Sequence, residues 1–376
     1  MRLLCRQGVV AALLFCCAVG LVLWPGEVSA AAREGLALCG NVILPSLFPF
    51  FVLSSLTISL GLAGYLGRAL APVMGPLFRL GGPCAAPLVL GFVGGYPVGA
   101  RAALTLYQTG GCTRTECERL LAFCNNSGPA FILGVVGAGV FNDSRVGLLL
   151  WGVHALASLL VGLCFRFYRW REPKTAGTAL PIRACRFTAA FTRAVGDSGL
   201  SCLHISAFVV TFTVLLRLAF LSGLLPLLAE LLGRIPGLDP AWGRRLLTGL
   251  VELSSGVWAL AGEGPLRGRV AMAAFLLGWA GLSVHCQVLS FLEETGLNTW
   301  TYLGGKLLHG LFSAILTALA LRFLPLPVSG VLTEQVEGIA GMDLPTAFTL
   351  SSWWAWGVFL VFFLLSLLGL EKREKV

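Results

Sequence analysis

Charge is what this sequence has least of. Only 12% of its 376 residues are Asp, Glu, Lys or Arg, where a soluble globular chain carries roughly a quarter. Hydrophobic residues make up 57% and the mean hydropathy is +0.85, which excludes a water-soluble domain and indicates a polytopic membrane protein. Common catalytic motifs are missing too: there is no HExxH, GxSxG or P-loop, and no His/acid pair at helical spacing. These absences argue against an enzyme and against a nucleotide-driven engine.

No CxxC pair occurs among the 12 cysteines. Most of them, including Cys16, Cys17, Cys39, Cys84, Cys124, Cys164, Cys202 and Cys286, lie in or beside apolar runs, where Cys behaves as a small hydrophobe. Disulfide and metal readings are therefore weak, and no cofactor is implied. Acids are outnumbered by bases, 18 to 27, but the surplus does not point to nucleic acid, because it is placed beside apolar spans. Arg166, Arg169, Arg171, Lys174, Arg183, Arg186 and Arg193 share one loop with Glu172 as its sole acid, the mark of a cytoplasmic loop. Arg2 and Arg6 at one end and Lys372, Arg373 and Lys375 at the other favour the same side.

About ten apolar windows are present, and since a crossing needs about 20 apolar residues, several span and several fall short. The run from Val9 to Trp24, followed by the small residues Val28-Ser29-Ala30-Ala31, reads either as a retained first helix or as a signal-like segment. The expected organisation is this N-terminal segment (1–32), a first repeat (33–165), the basic loop (166–193), a second repeat (194–324), then a loop and a C-terminal transmembrane helix (325–376). Each apolar half opens on a long run and continues to two polar breaks. In the first half these are Gly94-Gly95-Tyr96-Pro97 and Asn125-Asn126-Ser127-Gly128-Pro129. In the second they are Glu252-Leu253-Ser254-Ser255-Gly256 and the stretch from Gly278 to Gln287. Matched interruptions in two halves point to a transporter site near the membrane midplane, and an odd number of crossings in each half makes the copies inverted.

From Pro97 the helical pattern reaches only Thr109, and from Pro129 only Phe141, each roughly 20 Å long and short of the roughly 30 Å hydrocarbon core. Both are expected as half-helices or hairpin arms, with their non-helical backbone lining a cavity, since unpaired backbone in lipid costs several kcal/mol per group. Free N–H groups at such helix starts favour an anion, and Arg101 adds a full charge. The competing readings are a small-xxx-small packing face at Gly91, Gly95 and Gly99, and a polar loop outside the membrane at Asn125-Asn126-Ser127. Thr115 to Glu118 matches a capping box. Glu252 is the one acid inside an apolar window, and either couples transport to protons or neutralises Arg217 or Arg101. His285 is expected to hydrogen-bond in a cavity.

GFVGGYPVGAR (91–101), TRTECERLLAFCNNSGPAFILGVVG (113–137) and LPSLFPFFVLSSL (44–56) together resemble the sporulation integral membrane proteins of the YlbJ or SpoVV type, which carry nucleoside-recognition (gate) domains. That family usually has Ser where this chain has Gly94 or Gly95. The resemblance implies an all-α integral membrane fold of two inverted gate-type repeats, with interrupted helices, re-entrant hairpins and about 8–10 membrane segments. It also implies a role in endospore formation, where one member is similar to a transporter moving dipicolinic acid from the mother cell across the outer forespore membrane. The expected function is therefore transport of a small organic anion, dipicolinate first. The alternatives are a nucleoside or other organic-solute transporter and a non-transporting assembly factor. Expected substrate contacts are Gly94, Gly95, Tyr96, Pro97, Arg101, Asn125, Asn126 and Ser127 from the first half, completed by Ser254, Ser255, His285 and Gln287, with Glu252 and Arg217 for coupling or charge balance. The partners are then the solute and the lipid bilayer, with no nucleic acid; a homo-oligomer is compatible with the sequence.

Overall fold

Proline, glycine and capping residues divide this apolar chain into helices that repeat in one order. The computed structural model describes residues 2–60, 62–172, 187–235, 237, 239–293 and 295–323, and no strand occurs among them. The loop and helix expected over 325–376, and the basic loop from 173 to 186, lie outside the described residues. Helix α1 (Arg2–Leu23) ends at Trp24. Pro25 opens the next helix, where its missing N–H is no loss, and the axes of the two helices differ by 99°.

The first repeat starts with α2 (Pro25–Leu38), which passes through a π-helical segment (Cys39–Ile43) into α3 (Leu44–Ser59). Glu27, Arg33 and Glu34 all sit within α2. Arg217 makes this tolerable by pairing with Glu27 at 3.2 Å and Glu34 at 2.8 Å. Next comes α4 (Leu62–Phe78), whose second half lies at 107° to the following Gly82–Gly94 segment. Helices α5 (Ala85–Gly94) and α6 (Val98–Gln108) form a hairpin with Gly95-Tyr96-Pro97 at its tip. The turn is fixed by Gly95 at φ +73°, a left-handed conformation that costs glycine nothing.

Helix α7 (Arg114–Leu121) is capped by Thr113, whose Oγ accepts from the Glu116 N–H while Glu116 returns a bond to the Thr113 N–H. The capping box therefore lies two residues before the expected Thr115–Glu118 pair, and Glu118 is left for another role. After the polar break the chain resumes as a π-helix (Ala130–Val140), then turns at Asn142-Asp143 into α8 (Ser144–Phe165). Along α8 the contacts run in reverse order: Arg119 with the Tyr168 and Arg169 carbonyls, Phe123 with Ser158, Ser127 with His154 and Gly137 with Gly147. The α7–break–π-helix series is thus one interrupted crossing antiparallel to α8.

The second repeat has the same sequence of parts. It consists of the 35-residue α9 (Phe187–Leu221), the short α10 (Leu224–Leu232), a hairpin of α11 (Pro240–Val251) and α12 (Leu253–Trp258), α13 (Leu266–Trp279), α14 (Gly281–Leu292) and α15 (Thr299–Phe323). Ala280 and Gly281 both take φ +81°, and two left-handed residues in succession end one helix and start another. Gly278 meets Gly310 and His285 meets Tyr302, so the broken α13–α14 runs antiparallel to α15 as α7 and its π-helix do to α8. Among the described residues the second repeat holds three stretches long and apolar enough to cross, Phe187–Leu221, Leu266–Leu292 and Thr299–Phe323, and an odd number per copy is what makes two copies inverted.

Four helical stretches, Ser144–Phe165, Phe187–Leu221, Leu266–Leu292 and Thr299–Phe323, are long and apolar enough to cross a bilayer, or up to six if each bent pair is one span. Hairpin arms and half-helices supply the shorter membrane segments. The chain is an all-α integral membrane protein of two inverted repeats.

Candidate functional site

The two hairpin tips and the two helix breaks converge. Gly91 and Gly99, on opposite arms of the first hairpin, both press on the Cys124 carbonyl: a Cβ would lie 1.7 Å from that oxygen at Gly91 and 2.1 Å at Gly99. A Cβ at Gly95 would stand 2.9 Å from the Gly128 N. The packing-face and cavity readings of these glycines are therefore compatible: Gly91 and Gly99 seat the hairpin on the first break, and Gly95 forms the tip. In the second repeat a Cβ on Gly281 would lie 2.9 Å from the Leu253 N, and Trp279 Nε1 donates to the Leu250 carbonyl at 3.2 Å. Each hairpin tip is thus held by the broken helix of its own repeat.

Between these points lies a cavity of about 70 Å³, room for a few waters. Its polar lining comes from Gly94, Gly95, Tyr96 and Ser127 of the first repeat and from Glu252, Ser254, Ser283 and Gln287 of the second, against apolar side chains that include Phe51, Phe131 and Phe208. Of the residues expected at a site, the structure brings seven to this lining: Gly94, Gly95, Tyr96, Ser127, Glu252, Ser254 and Gln287.

Other expected residues support the wall from behind. Asn125 Oδ1 accepts from the Ala100 N–H at 3.4 Å, so one of the free N–H groups at the start of α6 is met by the first break. Asn126 Nδ2 donates to the Phe123 carbonyl at 3.0 Å. Both asparagines are fully buried, and Asn126 Oδ1 has no hydrogen-bond partner among the described residues. His285 Nδ1 pairs with the Tyr302 hydroxyl at 3.0 Å, Ser255 Oγ lies 3.5 Å from Thr213 Oγ1, and Pro97 stands at the start of α6.

Two expectations about charge are corrected. Arg101 is exposed and its guanidinium stacks over the Phe291 ring at 4.8 Å, away from the cavity; it stands one turn into α6, on the exposed face of that helix. Glu252 neutralises neither Arg101 nor Arg217, since Arg217 pairs with Glu27 and Glu34. Instead its two oxygens accept from the Ser254 N–H at 2.9 Å and the Ser255 N–H at 2.6 Å, capping α12. The cap explains why an acid stands at a helix start there.

Sequence reasoning missed the buried residues behind Tyr96. Lys306 of α15, 1% exposed, donates from Nζ to the Tyr96 hydroxyl and to the Asn125 carbonyl, both at 2.9 Å. Tyr96 in turn donates to the Leu277 carbonyl at 2.6 Å, so one phenol joins the first tip to the second repeat. His309 donates from Nε2 to the His154 carbonyl at 2.9 Å, the two imidazoles lie 4.2 Å apart, and His154 Nε2 accepts from the Ser127 N–H at 3.0 Å. A Lys and a His three apart within an apolar helix were the available signal, by the same rule that singled out Glu252.

Comparisons with known proteins agree with this geometry. Residues 42–166 match the family described as Gate: Nucleoside recognition. Among solved structures the chain is similar to CNTnw in an inward-facing substrate-bound state, with a TM-score of 0.56, 14% identity and coverage of 83% and 84% of the two chains. A doubly substituted CNTnw in an outward-facing state gives a TM-score of 0.56 at 14% identity, over 85% of each chain. At that identity the likeness shows the fold, which is transporter-like. The chain is also 30% identical over 340 residues to the sporulation integral membrane protein YlbJ of Bacillus subtilis, a match that covers 85% of this chain and 83% of that protein. With that identity sustained over most of both chains, the protein belongs to the family of the sporulation integral membrane protein YlbJ.

Proposed function

We propose that this protein carries a small, polar, ring-shaped solute across a membrane, bound where the two tips and two breaks meet, in a conformer whose cavity is wider than the about 70 Å³ seen here. The observation behind this reading is that cavity itself: non-helical backbone from both inverted repeats surrounds it, and such backbone is tolerated at membrane depth only when buried or facing a wet site. Tyr96 and the phenylalanines offer faces for a ring, while Ser127, Ser254, Ser283 and Gln287 offer hydrogen bonds. Dipicolinate is the first candidate, supported by the sporulation name of the relative and by the Lys306 ammonium directly behind the Tyr96 wall. A nucleoside is the second, favoured by one specific observation: the charged side chain lining the cavity is a carboxylate, Glu252, and no cation joins it among the described residues.

Uptake of radiolabelled dipicolinate into vesicles containing the purified chain, with uridine as competitor, tests both. Accumulation of dipicolinate above empty vesicles, lost in Ser127→Leu, is the expected result. Uridine accumulation without dipicolinate uptake selects the second reading. Failure of both solutes to accumulate in vesicles holding folded protein would sink the transport proposal and leave the assembly-factor alternative.

A further inference from the structure

We propose that Lys306 is a proton site that latches the first repeat onto the second. The lysine belongs to α15, in the second repeat, yet both of its hydrogen-bond acceptors belong to the first: the Tyr96 hydroxyl at the hairpin tip and the Asn125 carbonyl in the break. Its ammonium also sits 4.7 Å from the centre of the Tyr96 ring. No carboxylate of the described residues forms an ion pair with it. A buried charge is ordinarily paired, because its desolvation is otherwise uncompensated. Here two neutral oxygens and one ring take that place, and these contacts favour the ammonium: its bonds to them are charge-assisted, and they weaken to neutral amine bonds when the proton leaves.

The groups around it are arranged so that the proton has somewhere to go. His309, one turn along α15, presents Nδ1 at 3.5 Å from Nζ. Because its Nε2 must donate to the His154 carbonyl, the neutral ring leaves Nδ1 as an acceptor facing the ammonium. His154 of α8 packs against His309 with its ring tilted, and its Nδ1 has no hydrogen-bond partner among the described residues. The remaining titratable groups on this side are Tyr96 at the tip, Cys124 before the break, His285 of α14 and, on α15 itself, Tyr302; none of them is a carboxylate, and none supplies a permanent anion. With its proton, Lys306 ties tip and break together through Tyr96 and Asn125. Without it, the amine keeps two N–H donors for three acceptors, Tyr96 Oη, Asn125 O and His309 Nδ1, so one contact goes unserved, the others lose their charge assistance, and the tip depends more on the Leu277 bond. The cavity shares Tyr96 as a wall, so the latch and the solute address the same side chain. The link to transport rests on the function proposed above, whereas the latch itself does not.

Amide hydrogen exchange of the full chain in lipid nanodiscs, corrected for the intrinsic pH dependence of exchange, reads the latch with no solute present. Exchange in residues 94–100 and 123–128 is expected to rise about tenfold between about pH 5 and about pH 9, while α9 stays unchanged. In Lys306→Met the same segments should exchange quickly and equally at every pH. Tyr96→Phe, which keeps the ring and removes one acceptor, should reduce the step. A flat wild-type profile, or a step of wild-type size in either variant, overturns the proposal. A pH-dependent latch in a protein that moves neither dipicolinate nor uridine would leave this inference standing and remove the transport reading.

Discussion

At the scale of single residues, close backbone approach decides more than side-chain chemistry. Gly91 and Gly99 sit so near the Cys124 carbonyl that a methyl group at either would overlap it, and neither α5 nor α6 can move away without lifting the hairpin off the break. Gly91→Ala and Gly99→Ala are each expected to cost about 1–3 kcal/mol, the usual range for overpacking. Gly152→Ala, where nothing lies within 4 Å, should change stability by less than about 1 kcal/mol. Thermal unfolding in detergent checks the contrast, and equal midpoints for all three would refute it. The spacing of these glycines was legible in the sequence. The carbonyl they press on was not, because Cys124 belongs to a different element and only folding brings it between them.

At the scale of elements, the breaks are made by different means. Gly95 turns the first tip through a positive φ, whereas the second tip is made by Glu252, whose carboxylate caps α12. Glu252→Ala removes both acceptors and should destabilise the chain by about 1–3 kcal/mol, the cost of leaving buried donors unpaired. Glu252→Gln keeps one acceptor oxygen and should recover part of that loss. If the Gln variant matched the wild type in thermal stability yet lost all solute uptake, Glu252 would be assigned to the solute and not to the cap. The half-helix lengths were readable from Gly and Pro positions, and α6 and the Ala130–Val140 helix end within a residue or two of the expected points. Arg101 was misplaced for a simple reason: a residue beyond the first turn of a helix can face the tip or the outside, and sequence alone does not choose between those directions.

At the scale of the whole molecule, the two repeats are stitched by buried polar groups. Besides Lys306, Glu118 of α7 accepts from Arg114 Nε at 2.9 Å, from the Asn298 N–H at 2.9 Å and from the Tyr168 hydroxyl at 3.0 Å. Its side chain has no exposure, and Asn298 precedes α15 of the other repeat. Glu118→Ala leaves the Asn298 N–H and the Tyr168 hydroxyl without this acceptor, while half-exposed Arg114 turns to water, and should cost about 1–3 kcal/mol, as unpairing buried donors does. Arg217→Gln, which breaks only half-exposed pairs with Glu27 and Glu34, should cost less than about 1 kcal/mol. Melting midpoints of the two variants in the same detergent compare these directly, and a larger fall for Arg217→Gln would reverse the assignment.

By itself the sequence determined that this chain lies in a membrane, where its long helices run, where it breaks and that it repeats. Those properties follow from local composition: hydropathy sets the solvent, and Gly and Pro set the interruptions. Tertiary structure alone decided which polar residues meet. Lys306 and Tyr96 are far apart in the chain, as are Glu118 and Asn298, and their pairing depends on two inverted repeats bringing α15 past the breaks of the first half. Periodicity describes the face a residue occupies on its own helix; it carries no information about which partner a distant helix delivers to that face.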